Sequence, residues 1–155
     1  MGTEIERKFL VSYMPEKLMK NGARICQGYI VKQKDKVLRV RISGNTASLT
    51  LKGPTENFKR KEYAYPIAVP EAKELLEYFC ERPFVEKTRY SINYKGSEWI
   101  IDQFSGGNNG LIVAEIELNA RDQIFEKPDW IDKEVSTDPR YFNANLVSFP
   151  FSKWR

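Results

Sequence analysis

The sequence predicts an α+β chain that is mainly β: a closed or nearly closed antiparallel barrel with helices packed outside. Three observations predict it. Successive stretches alternate apolar and charged side chains with a period of two, the signature of strands. Short turn signals rich in Gly, Asn and Pro separate these stretches, as between antiparallel neighbours. On strand after strand, the polar face is almost purely ionic. An ordinary antiparallel sheet turns a mixed polar face to water. Here Ser, Gln and Asn are scarce on that face, so the charges are expected to point inward and the apolar faces outward, under helices.

The first strand, residues 4–8, sets the pattern. Glu4, Glu6 and Lys8 share one face, and Ile5, Arg7 and Phe9 the other. Two carboxylates on one face repel each other, and a hard divalent cation with oxygen ligands relieves the repulsion. Taken alone, the stretch reads equally well as a solvated edge strand. Arg7, on the opposite face, reads as half of a surface ion pair. Residues 13–22 carry an early Pro15 and a late Gly22 around good helix formers, which predicts a short helix. Residues 24–34 have strand composition, with Ile25, Tyr29 and Val31, and 34–36 read as the turn. In 37–43, Leu38, Val40 and Ile42 oppose Arg39 and Arg41. After the turn at Gly44-Asn45, residues 47–52 set Leu49 and Leu51 against Thr50 and Lys52.

A loop at 53–57 leads to a strand over 58–68, with Arg60, Glu62 and Ala64 on one side. The helix of strongest periodicity spans 71–81. Ala72, Leu75, Leu76 and Phe79 form its core stripe, and Arg82-Pro83 ends it. Lys87, Arg89 and Ser91 then oppose Thr88, Tyr90 and Ile92 in 84–93. A turn at 94–97 returns the chain through 98–104, which carries Asp102. The Gly-rich stretch 105–110 runs into another strand. A phosphate cradle of the usual kind needs a helix N-terminus there, so the stretch reads as a hairpin loop. Residues 111–118 set Glu115 and Glu117 against Ala114, Ile116 and Leu118. Beyond 119 the chain is aromatic and irregular, with short helices expected near 129–133 and 139–147. Trp99, Trp130 and Trp154 read as packing residues.

Bulk properties narrow the function. The 155 residues suit one domain, 1–155, with 41% hydrophobic and 30% charged residues. A net charge of +4 fits an anionic ligand without demanding nucleic acid. Cys26 and Cys80 lie far apart in sequence and read as free thiols of a cytoplasmic protein. No secretory or membrane-spanning run is apparent. Histidine is absent, which excludes Ser-His-Asp and Cys-His catalysis, His-ligated zinc and imidazole proton relays.

Inward charges must be paired or must bind something. One acidic and one basic cluster inside one barrel match a polyanion that carries a divalent metal. At this point the sequence resembles a known family. Glu4-Ile5-Glu6-Arg7-Lys8-Phe9 is similar to the ExExK signature of the CYTH superfamily, the triphosphate tunnel metalloenzymes. Further similarity follows in order at Gln27-Gly28-Tyr29, Arg39-Val40-Arg41, Thr50-Leu51-Lys52, Arg60-Lys61-Glu62, Lys87-Thr88-Arg89, Asp102, Glu115-Ile116-Glu117, Glu134-Val135 and Asn143. The resemblance implies a tunnel of eight antiparallel strands. It implies Glu4, Glu6, Asp102, Glu115 and Glu117 as the side that holds Mg²⁺ or Mn²⁺. It implies Lys8, Arg39, Arg41, Lys52, Lys87 and Arg89 as the phosphate side, with Arg60 and Glu62 beside them. Ala64 departs from the pattern, because relatives often carry a second Glu there.

The reaction implied is metal-dependent hydrolysis of a triphosphate, first of all inorganic tripolyphosphate to pyrophosphate and phosphate. Lys8, crowded by cations, is expected to have a lowered pKa and to act as a general base or as a phosphate clamp. Tyr29 is a catalytic candidate or a packing aromatic. The rival readings keep the site but change the chemistry: a class IV-type adenylyl cyclase, or a hydrolase of a nucleoside or thiamine triphosphate or of an RNA 5′ end. A non-catalytic polyanion-binding barrel is the reading of another class. A small-molecule triphosphate partner is expected, without membrane or nucleic acid, and a homodimer is left open.

Overall fold

The computed structural model describes residues 2–154. Its strands are β1 (Glu4–Val11), β2 (Ala23–Lys32), β3 (Val37–Ser43), β4 (Thr46–Lys52), β5 (Lys59–Arg60), β6 (Glu62–Ile67), β7 (Val85–Tyr94), β8 (Ser97–Phe104), β9 (Ile112–Glu117) and β10 (Ile131–Glu134). Among the described residues there are two α-helices, α1 (Val69–Phe79) and α2 (Asn145–Ser148). Among the described residues, no helix is long and apolar enough to cross a membrane.

All strand pairs are antiparallel, and the order across the sheet is β10-β1-β9-β8-β7-β2-β3-β4-β6, with β5 paired to β1 off this path. The expected mainly-β, α+β architecture holds, but its finer form is corrected. The sheet has ten strands, not eight, and it is not closed into a barrel. The reason lies at β1. One of its edges takes β9, from Glu6 to Leu10. Its other edge is shared, with β5 at Glu4 and Ile5 and β10 at Phe9 and Val11. No edge of β1 is left for β6, and the Glu62 N–H donates to the Gly2 carbonyl at 3.2 Å just before β1 begins.

Three local expectations also change. The strand expected over 58–68 breaks into β5 and β6. Asn57 and Phe58 both have positive φ, 52° and 67°, and form the tip of a tight hairpin in which Glu56 and Lys59 exchange backbone hydrogen bonds. The helix expected in 13–22 is only a turn, in which Leu18 and Met19 N–H groups donate to the Pro15 carbonyl. Six residues between Pro15 and Gly22 are too few to offset helix nucleation, and Met14 and Met19 are drawn into the core instead. The helix expected near 129–133 is strand β10, captured by the open edge of β1.

Two layers cover the apolar outer face. Helix α1 packs Ala72 and Leu76 against Val40 and Ala47, beside Ile42 and Leu49. Leu75 is only half-buried and Phe79 is 63% exposed, so the core stripe is narrower than expected. Over β1, β8 and β9, an irregular segment brings Phe125 and Trp130 onto Phe9, Trp99, Ile101 and Ile116. Trp99 and Trp130 are core residues, as their type predicts. A third cluster lies on the inner face. Tyr29, Val85, Phe104 and Val113 meet Tyr141, Leu146 and Val147 around α2.

α1 can approach the sheet because Gly28 has no side chain. A Cβ there would stand 2.9 Å from Cys80 Cβ and 2.9 Å from Leu76 Cδ2. Gly28→Ala should therefore destabilise the fold by about 1–3 kcal/mol, the cost of overpacking. Gly53→Ala, whose Cβ would meet nothing nearer than Lys61 Cβ at 3.9 Å, should change little. Urea denaturation of the two variants checks this.

Candidate active site

The inward faces line one cavity of about 520 Å³. Of the residues expected at the site, Glu4, Glu6, Lys8, Tyr29, Arg39, Arg41, Lys52, Arg60, Glu62, Arg89, Glu115 and Glu117 line it. They come from eight strands and gather because each strand puts alternate residues on the concave side. Lys87 and Asp102 share the inner face but stand behind the cavity wall, fully or nearly fully buried.

The acidic wall follows from β1–β9 register, which pairs Glu6 with Glu117 and Lys8 with Glu115. Lys8 Nζ lies 3.2 Å from Glu6 and forms a closer ion pair with Glu115. The expectation that cations crowd Lys8 is thus corrected. Burial alone would lower its pKa, but the Glu115 and Glu6 carboxylates outweigh burial and raise it. Lys8 therefore stands as a charged ammonium among carboxylates. Lys52 Nζ lies 3.4 Å from Glu4 and 3.9 Å from Glu62, so Glu62 has a cation without any acid at position 64. The Ala64 side chain, directly after exposed Tyr63, is itself exposed.

The deeper pairs anchor the basic wall. Asp102 accepts from Arg89 Nε at 2.8 Å and Nη2 at 2.9 Å, and Lys87 Nζ lies 2.8 Å from the same Oδ2 that Nη2 reaches. Asp102, expected among metal ligands, is occupied by these two cations. Lys87 also donates to Asn143 Oδ1 at 2.8 Å. Burial first, opposed by Asp102 and reinforced by Arg89 and Arg41, brings Lys87 down to about 7.

Arg39 and Arg41 differ from Lys8, Lys52, Lys87 and Arg89. Among the described residues neither has a carboxylate within ion-pair distance. Arg39 is 8% exposed and its Nε has no hydrogen-bond partner. Its Nη2 reaches only Thr50 Oγ1, at 3.3 Å. Arg41 gives its Nε to Gln27 at 2.9 Å. Burial, then repulsion from Arg39 and Arg89, presses its pKa down to about 9, which still leaves it charged at neutral pH. Arg60 is tied to its own hairpin, donating Nε and Nη2 to the Gly53 carbonyl at 3.0 and 2.7 Å.

The carboxylates offer hard oxygen donors and the cavity lining has no thiolate or imidazole, which suits a hard divalent cation. Among the described residues no three acidic side chains are already gathered as a ligand set; lysines and an arginine hold them instead. Yet the acids outnumber what those cations satisfy. Burial, with Glu115 and then Glu4 adding repulsion, raises Glu6, and burial also raises Glu4. Glu115, by contrast, is held well below the usual range: burial opposes ionisation, but Lys8 and Arg89 overcome it.

Sequence reading missed several lining residues. Phe142, Ala144 and Asn145 arrive from a segment without periodicity. Phe58 lines the cavity from the hairpin tip and lies 5.3 Å from the Arg7 guanidinium, which Phe125 faces at 5.3 Å. Arg7 itself pairs with Glu134 at 2.6 Å, as an ion pair off the site.

A concave antiparallel sheet with carboxylates on one wall and unpaired guanidiniums on the other defines a protein built around an internal ionic cavity, fitted to an anion and a cation together. The chain belongs to the CYTH domain family, whose sequence pattern matches residues 2–147. It is 48% identical over 155 residues to an inorganic triphosphatase of Acetivibrio thermocellus, covering 100% of this chain and 99% of that one. It is 37% identical over 149 residues to an inorganic triphosphatase of Nitrosomonas europaea, covering 94% and 97%. The crystal structure of the inorganic triphosphatase NE1496 superposes with a TM-score of 0.68 at 35% identity, covering 92% and 96%.

The raised carboxyls have a testable sign. A carboxyl raised in the folded state contributes stability at pH below its ordinary value of 4.5 and loses it as pH rises through the raised value. Glu6→Gln removes that loss. In the absence of divalent cations the variant should melt above the wild type at pH 7–8 by a few degrees, and the two should converge near pH 4. Differential scanning calorimetry across that range checks it.

Proposed function

We propose that the chain is a divalent-cation-dependent inorganic triphosphatase, adding water to tripolyphosphate to give pyrophosphate and orthophosphate. One observation carries the reading: in a single cavity, Arg39 and Arg41 lack carboxylate partners while Glu4, Glu6 and Glu117 outnumber their cations. A polyanion completes the first wall and a cation the second. The likeness to two inorganic triphosphatases over almost their whole lengths supports the choice of substrate.

Glu4, Glu6, Glu115 and Glu117 are assigned to hold Mg²⁺ or Mn²⁺, which when bound neutralises phosphate oxygens and orients water. Arg39, Arg41, Lys52 and Arg89 grip the phosphate chain, with guanidinium forks matched to phosphate oxygens. Arg60 and Glu62 shape the entrance around Lys52. Asp102 and Lys87 act from behind, fixing Arg89. Lys8 serves as a clamp that steadies charge on the reacting phosphoryl group; its carboxylate neighbours remove the ground for a lowered pKa. Tyr29 contributes a phenol at the cavity wall. The two free cysteines suit a cytoplasmic setting.

The decisive experiment measures orthophosphate release from tripolyphosphate, pyrophosphate and ATP with Mg²⁺ or Mn²⁺. Tripolyphosphate should be turned over fastest, and EDTA should stop it. Cyclic AMP from ATP, with tripolyphosphate left intact, would overturn the assignment. Lys8→Ala should abolish turnover, and it should also melt below the wild type because buried Glu115 loses its partner. Arg39→Ala and Arg41→Ala should each raise KM by about 10- to 100-fold, the worth of one or two charged hydrogen bonds.

A further inference from the structure

We propose that Gln27 is a positioning residue that fixes Arg41 and Tyr29 together, turning the Tyr29 hydroxyl proton and the Arg41 fork toward a bound phosphate chain. The inference rests on the triphosphatase reading for the identity of the ligand, and on geometry for the rest.

Gln27 is fully buried on the inner face of β2 and does not line the cavity. Its amide nonetheless ends in a network whose other members do. Gln27 pairs with Arg41 across β2–β3, and Tyr29 with Arg39. The amide orientation is forced by chemistry. Arg41 Nε can only donate, so the amide oxygen must face it, at 2.9 Å. The NH₂ group then faces Tyr29 Oη at 2.8 Å and donates to it. A phenol oxygen that accepts this bond keeps its own proton free for another acceptor. Tyr29 is 4% exposed, and burial raises its pKa, so the proton stays on. The result is a neutral donor set beside two guanidiniums, fixed before any ligand arrives.

The same bond limits Arg41. With Nε committed to Gln27, the two terminal nitrogens remain to reach a phosphate oxygen. No carboxylate does this work. An acid at position 27 would hold Arg41 as firmly but would cancel its charge. A neutral amide is the side chain that positions the guanidinium and leaves its charge for the ligand. Buried amides of this kind keep conformational freedom, rather than charge, out of the site.

The test compares Gln27→Met, of similar volume and without either hydrogen bond, with Gln27→Glu and Tyr29→Phe. Equilibrium binding of tripolyphosphate is measured by titration calorimetry without divalent cations, and steady-state turnover separately. The expected result for Gln27→Met is a loss of binding of about tenfold, with thermal melting retained. Its effect should shrink in the Tyr29→Phe background, because part of it travels through the phenol. Gln27→Glu should bind tripolyphosphate more weakly than wild type even though Arg41 stays anchored. Should Gln27→Met fail to fold, Gln27→Glu and Tyr29→Phe carry the same comparison. A Gln27→Met or Gln27→Glu protein with wild-type affinity overturns the proposal. Because binding is read apart from turnover, a wild type that binds tripolyphosphate in a Gln27-dependent way without hydrolysing it refutes only the triphosphatase reading.

Discussion

The pairing of Lys8 with Glu115 across β1 and β9 is the contact on which the interior depends. Charges withdrawn from water need partners, and desolvation is repaid only by close, well-oriented contacts. From this pair the neutralisation spreads. Glu115 also meets Arg89 at 3.7 Å, Arg89 is bidentate on Asp102, and Asp102 holds Lys87. Acid and base alternate from the first strand of the chain to the depth of the sheet. The chain of pairs ends before Arg39 and Arg41, where positive charge is left over. It also leaves Glu4 and Glu6 with raised carboxyls, where negative charge is left over. A site for two kinds of ion is what remains after internal neutralisation has gone as far as it can.

Much of this was legible because strands have an exact period. Arg39/Arg41 and Glu115/Glu117 could be placed on inward faces from alternation alone, and both sets line the cavity. The strands 37–43 and 47–52 and the helix near 71–81 were found to within two residues, since hydrophobic periodicity and flanking turn residues agree there. What failed has physical causes. Nothing in the local sequence of 129–133 marks it as a strand; an open edge over a hundred residues earlier in the chain makes it one. The short strand β5 hides because its hairpin tip puts an aromatic, Phe58, at positive φ, which is rare, and because nothing in the pattern marks the break at Lys61 between β5 and β6. Closure of the sheet depends on how β1 divides its edge, which alternation does not encode.

Charge bookkeeping was the weakest part of the sequence reading, for a related reason. Faces can be read from spacing, but which residue sits nearest which across a sheet depends on register. Lys8 shares a strand face with two glutamates and lies opposite a third, so its neighbours are anions. The first two are readable from spacing; the placement of β1 beside β9 adds the third, Glu115, which is the nearest. Likewise Asp102 looked equivalent to the glutamates, while its cross-strand partner is Arg89 and it lies behind the wall. The neutral residues that organise the site, Gln27 and Asn143, carry no charge pattern; the family resemblance includes them, and their hydrogen bonds show what they hold.

The register of β1 also has a consequence for how the protein is made. Glu4 to Val11 are translated early, yet their partners in β9 and β10 begin at Ile112 and Ile131. On the ribosome most of this strand, beyond the two residues that β5 can pair, must wait, strongly charged, until β9 and β10 emerge. That separation favours slow, late assembly. It also means that the alternating charges of Glu4, Glu6, Arg7 and Lys8 help a nascent segment resist premature association before its neighbours emerge.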